Sequence, residues 1–189
     1  MVFAAGLGTR LRPLTDDRPK ALVEVGGVPM LERVLLHLRH AGFNDVTINV
    51  HHFAQKVIDY VNGRGATLGM TLHISDESGG GILHAAHLLQ DAGPILVHNA
   101  DILTDLNLNA LYNAHLANRA DATLLTAERT TQRYFLFDPD MRLRGWTNIA
   151  TGEYRPHTLN DNNTATFRRL AFGGIHILSE SVLHALRKF

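Results

Sequence analysis

The chain has 189 residues, with 18 basic and 18 acidic side chains, 45% apolar residues and no cysteine. That is enough apolar material for one substantial core, read as a single domain over residues 1–189. The balanced charge excludes a general polyanion binder or a membrane-surface protein, so neither nucleic acid nor membrane is expected as a partner. The absence of cysteine excludes disulfides and thiolate chemistry. No apolar run approaches the roughly 18 residues of a membrane-crossing helix, and the first residues show no secretory pattern, so a cytoplasmic location is the default expectation.

Short apolar strands alternate with amphipathic helices over the first two thirds, the pattern of βαβ units and a mainly parallel sheet. Met1 to Ala5 reads as a strand. Pro29 to Ala41 reads as a helix, with Leu31, Val34, Leu35 and Leu38 on one face and Gly42 as its stop. Val46 to Val50 is the next strand, and Phe53, Val57, Ile58 and Val61 mark a second helix. A strand near Leu72 to Ser75 leads to Gly79 to Gly81 and a third helix through Leu89. "PILVHNAD" is a buried strand ending on Asp101, on the side of an open α/β sheet where ligands bind. Asp105 is read as a turn or helix-start residue before a helix over Leu106 to Leu116.

Beyond residue 120 the pattern becomes partly antiparallel. "ATLLTA" is a strand, "YFLFDPDMRLRGWTN" is two strands around a turn at Asp138-Pro139-Asp140, and "RRLAFGGIHIL" is a strand broken by its paired glycines. Gly152 to Thr166 is polar and unpatterned and reads as a loop. Ser179 to Phe189 starts with a capping serine and then looks helical.

The chemistry concentrates in "MVFAAGLGTRLRPLTDDRPKAL". Gly6 and Gly8 follow the first strand and let backbone N–H groups face a phosphate chain at close range; a tight structural turn is the plainer alternative. A dinucleotide-binding loop fits poorly, because its third glycine would fall at Leu11, Pro13 sits where the helix should begin, and His51 and His52 follow the second strand in place of an acidic residue. A Walker A loop is absent. Arg10, Arg12 and Lys20 lie in a loop stiffened by Pro13 and Pro19, which limits the entropy lost when the cations converge on a polyphosphate. Asp101 is a candidate site carboxylate at the end of a buried strand or, in the plainer reading, a cap of the next helix or turn. Trp146, Asn148 and Glu153 offer an aromatic face and hydrogen-bonding groups, against a purely structural role. Gly173 and Gly174 either admit a group close to the backbone or form a β-bulge. His51 with His52, and His84 with His87, lack a third ligand at a recognisable spacing and are read as surface or partly buried residues.

"FAAGLGTRLRPLTDDRPKAL" resembles the N-terminal signature of the sugar-1-phosphate nucleotidyltransferases, or nucleotidyl-diphosphosugar pyrophosphorylases. "ESGGGI" and "VHNADILTD" resemble the base-binding and metal-binding segments of the subgroup acting on N-acetylmuramate 1-phosphate, and "AFGGIHIL" is similar to the family's late strand beside the sugar. The resemblance implies a Rossmann-like three-layer α/β/α nucleotidyltransferase fold of GT-A-like type with a mainly parallel mixed sheet. It implies an enzyme that takes a nucleoside triphosphate and a sugar 1-phosphate, as a monomer or a homo-oligomer, with UTP and an N-acetylated sugar as the leading pair. GTP with mannose or heptose 1-phosphate, CTP with phosphocholine, and a non-catalytic nucleotide-sugar-binding module remain alternatives.

By the same resemblance Arg10 would hold the leaving phosphates, Lys20 would bridge the two reacting phosphates, and Asp101 would bind Mg²⁺. Backbone groups of Ala4, Ala5, Gly6, Gly8 and Thr9, with Gly79, Gly80 and Gly81, would cradle the nucleotide. Asn148, Glu153 and Gly174 would lie beside the sugar. Two departures stand out. The segment between the "SDE" strand and the glycines is shorter than in the family, and the chain has no candidate for the second metal-binding aspartate that family members carry beyond the last helix, so the domain is expected to lack its C-terminal end.

Overall fold

The computed structural model describes residues 1–76, 81–85, 88–89 and 93–186. They form two compact units, one of Met1–Thr123 with the chain from Ile175 onward, the other of Leu124–Gly174.

The first unit is built on a parallel sheet. Strand β1 (Val2–Phe3) is followed by a small hairpin of β2 (Glu24–Val25) and β3 (Val28–Pro29), then α1 (Met30–His40), β4 (Asp45–Val50), α2 (Ala54–Leu68) and β5 (Thr71–Asp76). After α3 (Gly81–His84) come β6 (Ile95–Asn99) and α4 (Leu108–Asn118). Val2 pairs in parallel with Ile48 of β4 on one side and His98 of β6 on the other, and β5 pairs in parallel with β4. The chain thus runs outward from β1 to β4 and β5, then returns to the other side of β1 at β6. That reversal opens a crevice at the carboxyl ends of β1 and β6.

The sheet buries both faces, which is why its strands read as near-continuous apolar runs. On one face Met1, Ile95 and Val97 cluster with Ala85 and Leu89, and with Leu183 of α5 (Glu180–Leu186); Phe3 and Ile82 pack against them. Val2, Ile48 and Leu96 alternate to the opposite face and are also buried, as are Leu31, Val34, Leu35 and Leu38 of α1. Tyr60 and Arg64 of α2 donate hydrogen bonds to the Glu32 carboxylate of α1, tying the two helices. Arg64, then Tyr60, hold Glu32 below its ordinary range, while burial and the bond to Glu32 push the Tyr60 hydroxyl up to about 12.

In the second unit β8 (Arg133–Phe137), β9 (Leu143–Asn148) and β10 (Glu153–Arg155) form an antiparallel meander, with Glu153 opposite Asn148. Asp138 closes the β8–β9 turn, accepting from the Arg142 backbone N–H at 2.9 Å and Arg144 Nε at 2.7 Å. These two donors hold its carboxyl below the usual range. β7 (Ala122–Ala127) begins just before this unit and pairs with β11 (Arg168–Leu178), whose last residues pair antiparallel with β6 in the first unit.

Several expectations need correction. β1 is two residues long, with Ala4 and Ala5 already in the loop. The polar stretch Gly152 to Thr166 contains β10, whose Tyr154 and Arg155 pair with Thr147 and Trp146 of β9. β11 runs unbroken through Gly173 and Gly174; a Cβ on Gly173 would lie 2.8 Å from Leu125, so this glycine serves a close approach to β7. Helix α4 starts at Leu108, capped by Asn107, whose side chain accepts from the Ala110 N–H at 2.9 Å; Asp105 lies in the preceding loop. The hairpin of β2 and β3, unanticipated, turns on Gly26 and Gly27 at φ 59° and 73°. The third helix is described only in part, and the glycine positions 79 and 80 and His87 fall outside the described residues.

Candidate active site

The crevice is framed by the two loops that leave β1 and β6. Ala4 N–H donates to Asn49 O at 2.8 Å and Ala100 N–H to Phe3 O at 2.9 Å, so the ladders continue past the strand ends and fix both loops. Phe3, Ala4, Ala5, Gly6, Lys20 and Asp101 line a cavity of about 210 Å³ there. A second cavity of about 290 Å³ adjoins it, sharing Gly6, Lys20 and Asp101 and adding the segment from Leu7 to Leu11, with Thr9 and Arg10.

Lys20 and Asp101 meet at the common rim of the two cavities as an ion pair, with side-chain exposures of 24% and 31%. Lys20 opens a short 3-10 turn, Lys20–Leu22, after Pro19, and the burial of Ala21 anchors that turn. β6 ends at Asn99, and Asp101 lies in the turn two residues beyond it, so the carboxylate expected at the strand's end is carried by the loop. A half-exposed pair of this kind is accessible to ligand and only weakly stabilising by itself.

The Gly6 to Lys20 loop is shaped by its own contacts. Gly8 is left-handed at φ 67°, where a side chain is strained. Thr15 is buried, and its Oγ1 donates to Gly8 O at 2.9 Å. A Cβ on Gly8 would lie 2.9 Å from Thr15 Cγ2 and 3.1 Å from Lys20 Cβ, whereas one on Gly6 would meet nothing within 4 Å. Gly8 is thus wedged against the loop, and Gly6 faces open space. Arg10 is exposed beside the second cavity, while Arg12 lies 3.4 Å from Asp16 in a solvent-exposed pair. Arg12 is therefore paired outside the second cavity, whose lining includes Arg10 and Lys20.

Gly81 opens α3 and does not line either cavity; a Cβ there would lie 2.6 Å from the Phe3 ring and 3.1 Å from Asn49 Oδ1. Asn148, Glu153 and Gly174 lie in the second unit, where Glu153 accepts from Arg155 Nε at 2.8 Å. Trp146 carries the Arg155 guanidinium 5.7 Å over its ring, a cation–π contact that occupies one face.

Among the described residues no cluster of three or more His, Asp or Glu could hold a metal by itself. His51 is exposed and His52 stacks at 4.2 Å on Phe53. His98 is fully buried in β6, and burial pushes it down to about 4, so it is neutral at pH 7. Asp101 remains the hard oxygen donor of the crevice, the donor type that Mg²⁺ takes together with substrate phosphates.

Sequence reasoning missed Thr15 and Asn49. Thr15 left a signal in its place inside a proline-stiffened loop. Asn49 left a fainter one, as a polar residue in a strand of buried alternation; its side chain donates to Ser75 O at 3.3 Å.

Residues 1–160 match the family described as MobA-like NTP transferase domain. N-acetylmuramate alpha-1-phosphate uridylyltransferase of Caulobacter vibrioides is 49% identical over 96 residues, covering 47% of this chain and 40% of the relative. The protein of the same name from Neisseria meningitidis serogroup B is 40% identical over 82 residues, covering 43% of this chain and 35% of the relative. The chain thus spans well under half the length of these relatives. A solved structure described as a putative glucose-1-phosphate thymidylyltransferase from Bacillus anthracis covers the whole chain and 77% of its own, with a TM-score of 0.78 at 14% identity. That likeness establishes the fold: a mixed sheet with helices of the Rossmann-like nucleotidyltransferase type.

Proposed function

The chain belongs to the MobA-like NTP transferase family, and from that premise we propose that it transfers a nucleotidyl group from a nucleoside triphosphate to a sugar 1-phosphate. The single observation that carries this reading is the Lys20–Asp101 pair shared by two cavities, one lined by Phe3 to Gly6 and the other by Gly6 to Leu11.

In the reaction a phosphate oxygen of the sugar 1-phosphate attacks the α-phosphorus. The bond from the α-phosphorus to the bridging oxygen breaks, and pyrophosphate leaves with that electron pair. No protein nucleophile is needed, so positioning and charge neutralisation carry the rate. Lys20, a compact point charge on a flexible stem, stands where two phosphates would otherwise repel. Arg10 offers a fork of donors to the leaving phosphates. The backbone of Ala4, Ala5, Gly6, Gly8 and Thr9 supplies the cradle, and Gly6 leaves its approach open. Asp101 would hold a divalent cation, Mg²⁺ by donor type, which when bound would neutralise phosphate charge.

For the substrates we favour UTP and an N-acetylated sugar 1-phosphate, supported by the names of the two bacterial relatives. For the sugar side the candidates are Asn148, Glu153 and Gly174, by resemblance. Calorimetric titration of the four ribonucleoside triphosphates against the protein tests this choice. UTP binding at least tenfold tighter than the others is expected; a preference for GTP or CTP overturns it.

A further inference from the structure

Thr15 lines neither cavity, yet it bonds to Gly8, the residue that packs beside Lys20. Its hydroxyl donates to the Gly8 carbonyl at 2.9 Å, and its methyl lies where a Cβ on Gly8 would come within 2.9 Å. The stem of Lys20 also borders that Gly8 position, 3.1 Å from the same hypothetical Cβ. Thr15 is 4% exposed, and its own placement is set by the neighbouring turns Leu14 N–H to Leu11 O at 2.9 Å and Asp16 N–H to Pro13 O at 3.1 Å. The Gly8 carbonyl accepts from the Leu11 N–H at 2.8 Å as well, and the buried hydroxyl as second donor fixes the direction in which the flanking peptide N–H groups point.

We propose that Thr15 is a positioning residue that locks the Gly6 to Leu11 backbone against Lys20, setting the distance between the phosphate cradle and the lysine. It acts through Gly8 and Lys20 and has no contact with substrate. The hydroxyl fixes the peptide orientation at Gly8, and the methyl sets the spacing. Thr15→Val keeps the shape and removes the donor, leaving the Gly8 carbonyl with the Leu11 N–H at 2.8 Å as its remaining partner. Thr15→Ser keeps the donor and removes only the methyl. This inference rests on the nucleotidyltransferase reading.

The test is titration of wild type, Thr15→Val and Thr15→Ser with UTP and, separately, with inorganic tripolyphosphate. It is run beside thermal melts, KM for each substrate, and Thr67→Val, which removes an exposed hydroxyl donating to Arg64 O at 2.7 Å, as a control. The expected result is a roughly tenfold loss of affinity for both polyphosphate probes in Thr15→Val. The KM for the sugar 1-phosphate should stay within about twofold, Thr15→Ser should restore most of the loss, and Thr67→Val should change nothing. Unchanged polyphosphate affinity in Thr15→Val, with only a lowered melting temperature, overturns the positioning role and leaves the functional reading intact. Wild type that binds neither probe overturns both.

Discussion

Gly8→Ala and Gly6→Ala differ by two positions in the same loop, and their effects should diverge. At Gly8 the φ of 67° costs an L-residue roughly 1–2 kcal/mol. The new methyl would also sit 2.9 Å from Thr15 Cγ2 and 3.1 Å from Lys20 Cβ. Overpacking of that order adds about 1–3 kcal/mol. The total of about 2–5 kcal/mol lowers the melting temperature of a domain this size by roughly 4–20 °C. At Gly6 the added methyl meets no atom within 4 Å, so stability should be unchanged within about 0.5 kcal/mol. It projects from a backbone that lines both cavities, and nucleotide affinity should fall at least tenfold. Urea denaturation paired with nucleotide titration measures both quantities on the same samples. Gly8→Ala as stable as wild type would refute the wedge; Gly6→Ala binding nucleotide as tightly as wild type would refute the cradle.

Two further predictions concern the first unit. Leu35→Ala removes a fully buried side chain from α1 and should cost about 2–5 kcal/mol by denaturant titration, with the slope unchanged. His98 is held at about 4 in the fold against 6.5 unfolded. As pH falls below 6.5 the unfolded chain takes up a proton that the native state refuses, so stability declines between about pH 6.5 and 4. His98→Leu should flatten that part of the stability profile, and an unchanged slope would show that His98 does not cause it.

The sequence was most legible where one pattern served one purpose. The apolar face at Leu31, Val34, Leu35 and Leu38 had a single outcome, a buried helix, and the run before Asp101 had to be an interior strand, which pairs parallel with β1 and antiparallel with β11. Legibility failed where the deciding contact was distant along the chain. Nothing local distinguishes Asp105 from Asn107 as the cap of α4. The pairing of Tyr154 with Thr147 formed β10 out of a stretch with no strand pattern, because cross-strand partners supply what propensity lacks. Gly173 announced a break, but Leu125 needed its missing side chain. The Gly26-Gly27 turn between Val25 and Val28 was readable, since paired glycines between β-branched residues favour a tight hairpin. In the crevice, Gly6, Arg10, Lys20 and Asp101 stood out as residue types suited to phosphate and metal. Thr15 left only its place in a proline-stiffened loop as a signal, and its bond to Gly8 shows what it does there.

The central claim is tested most directly by Mg²⁺-dependent pyrophosphate release from UTP with N-acetylmuramate 1-phosphate or N-acetylglucosamine 1-phosphate, in wild type, Lys20→Ala and Asp101→Asn. Release by wild type, reduced at least a hundredfold in both variants while their melting temperatures stay within a few degrees, is the expected result. Release that survives either substitution, or no release from any nucleotide and sugar 1-phosphate despite measurable nucleotide binding, would contradict it.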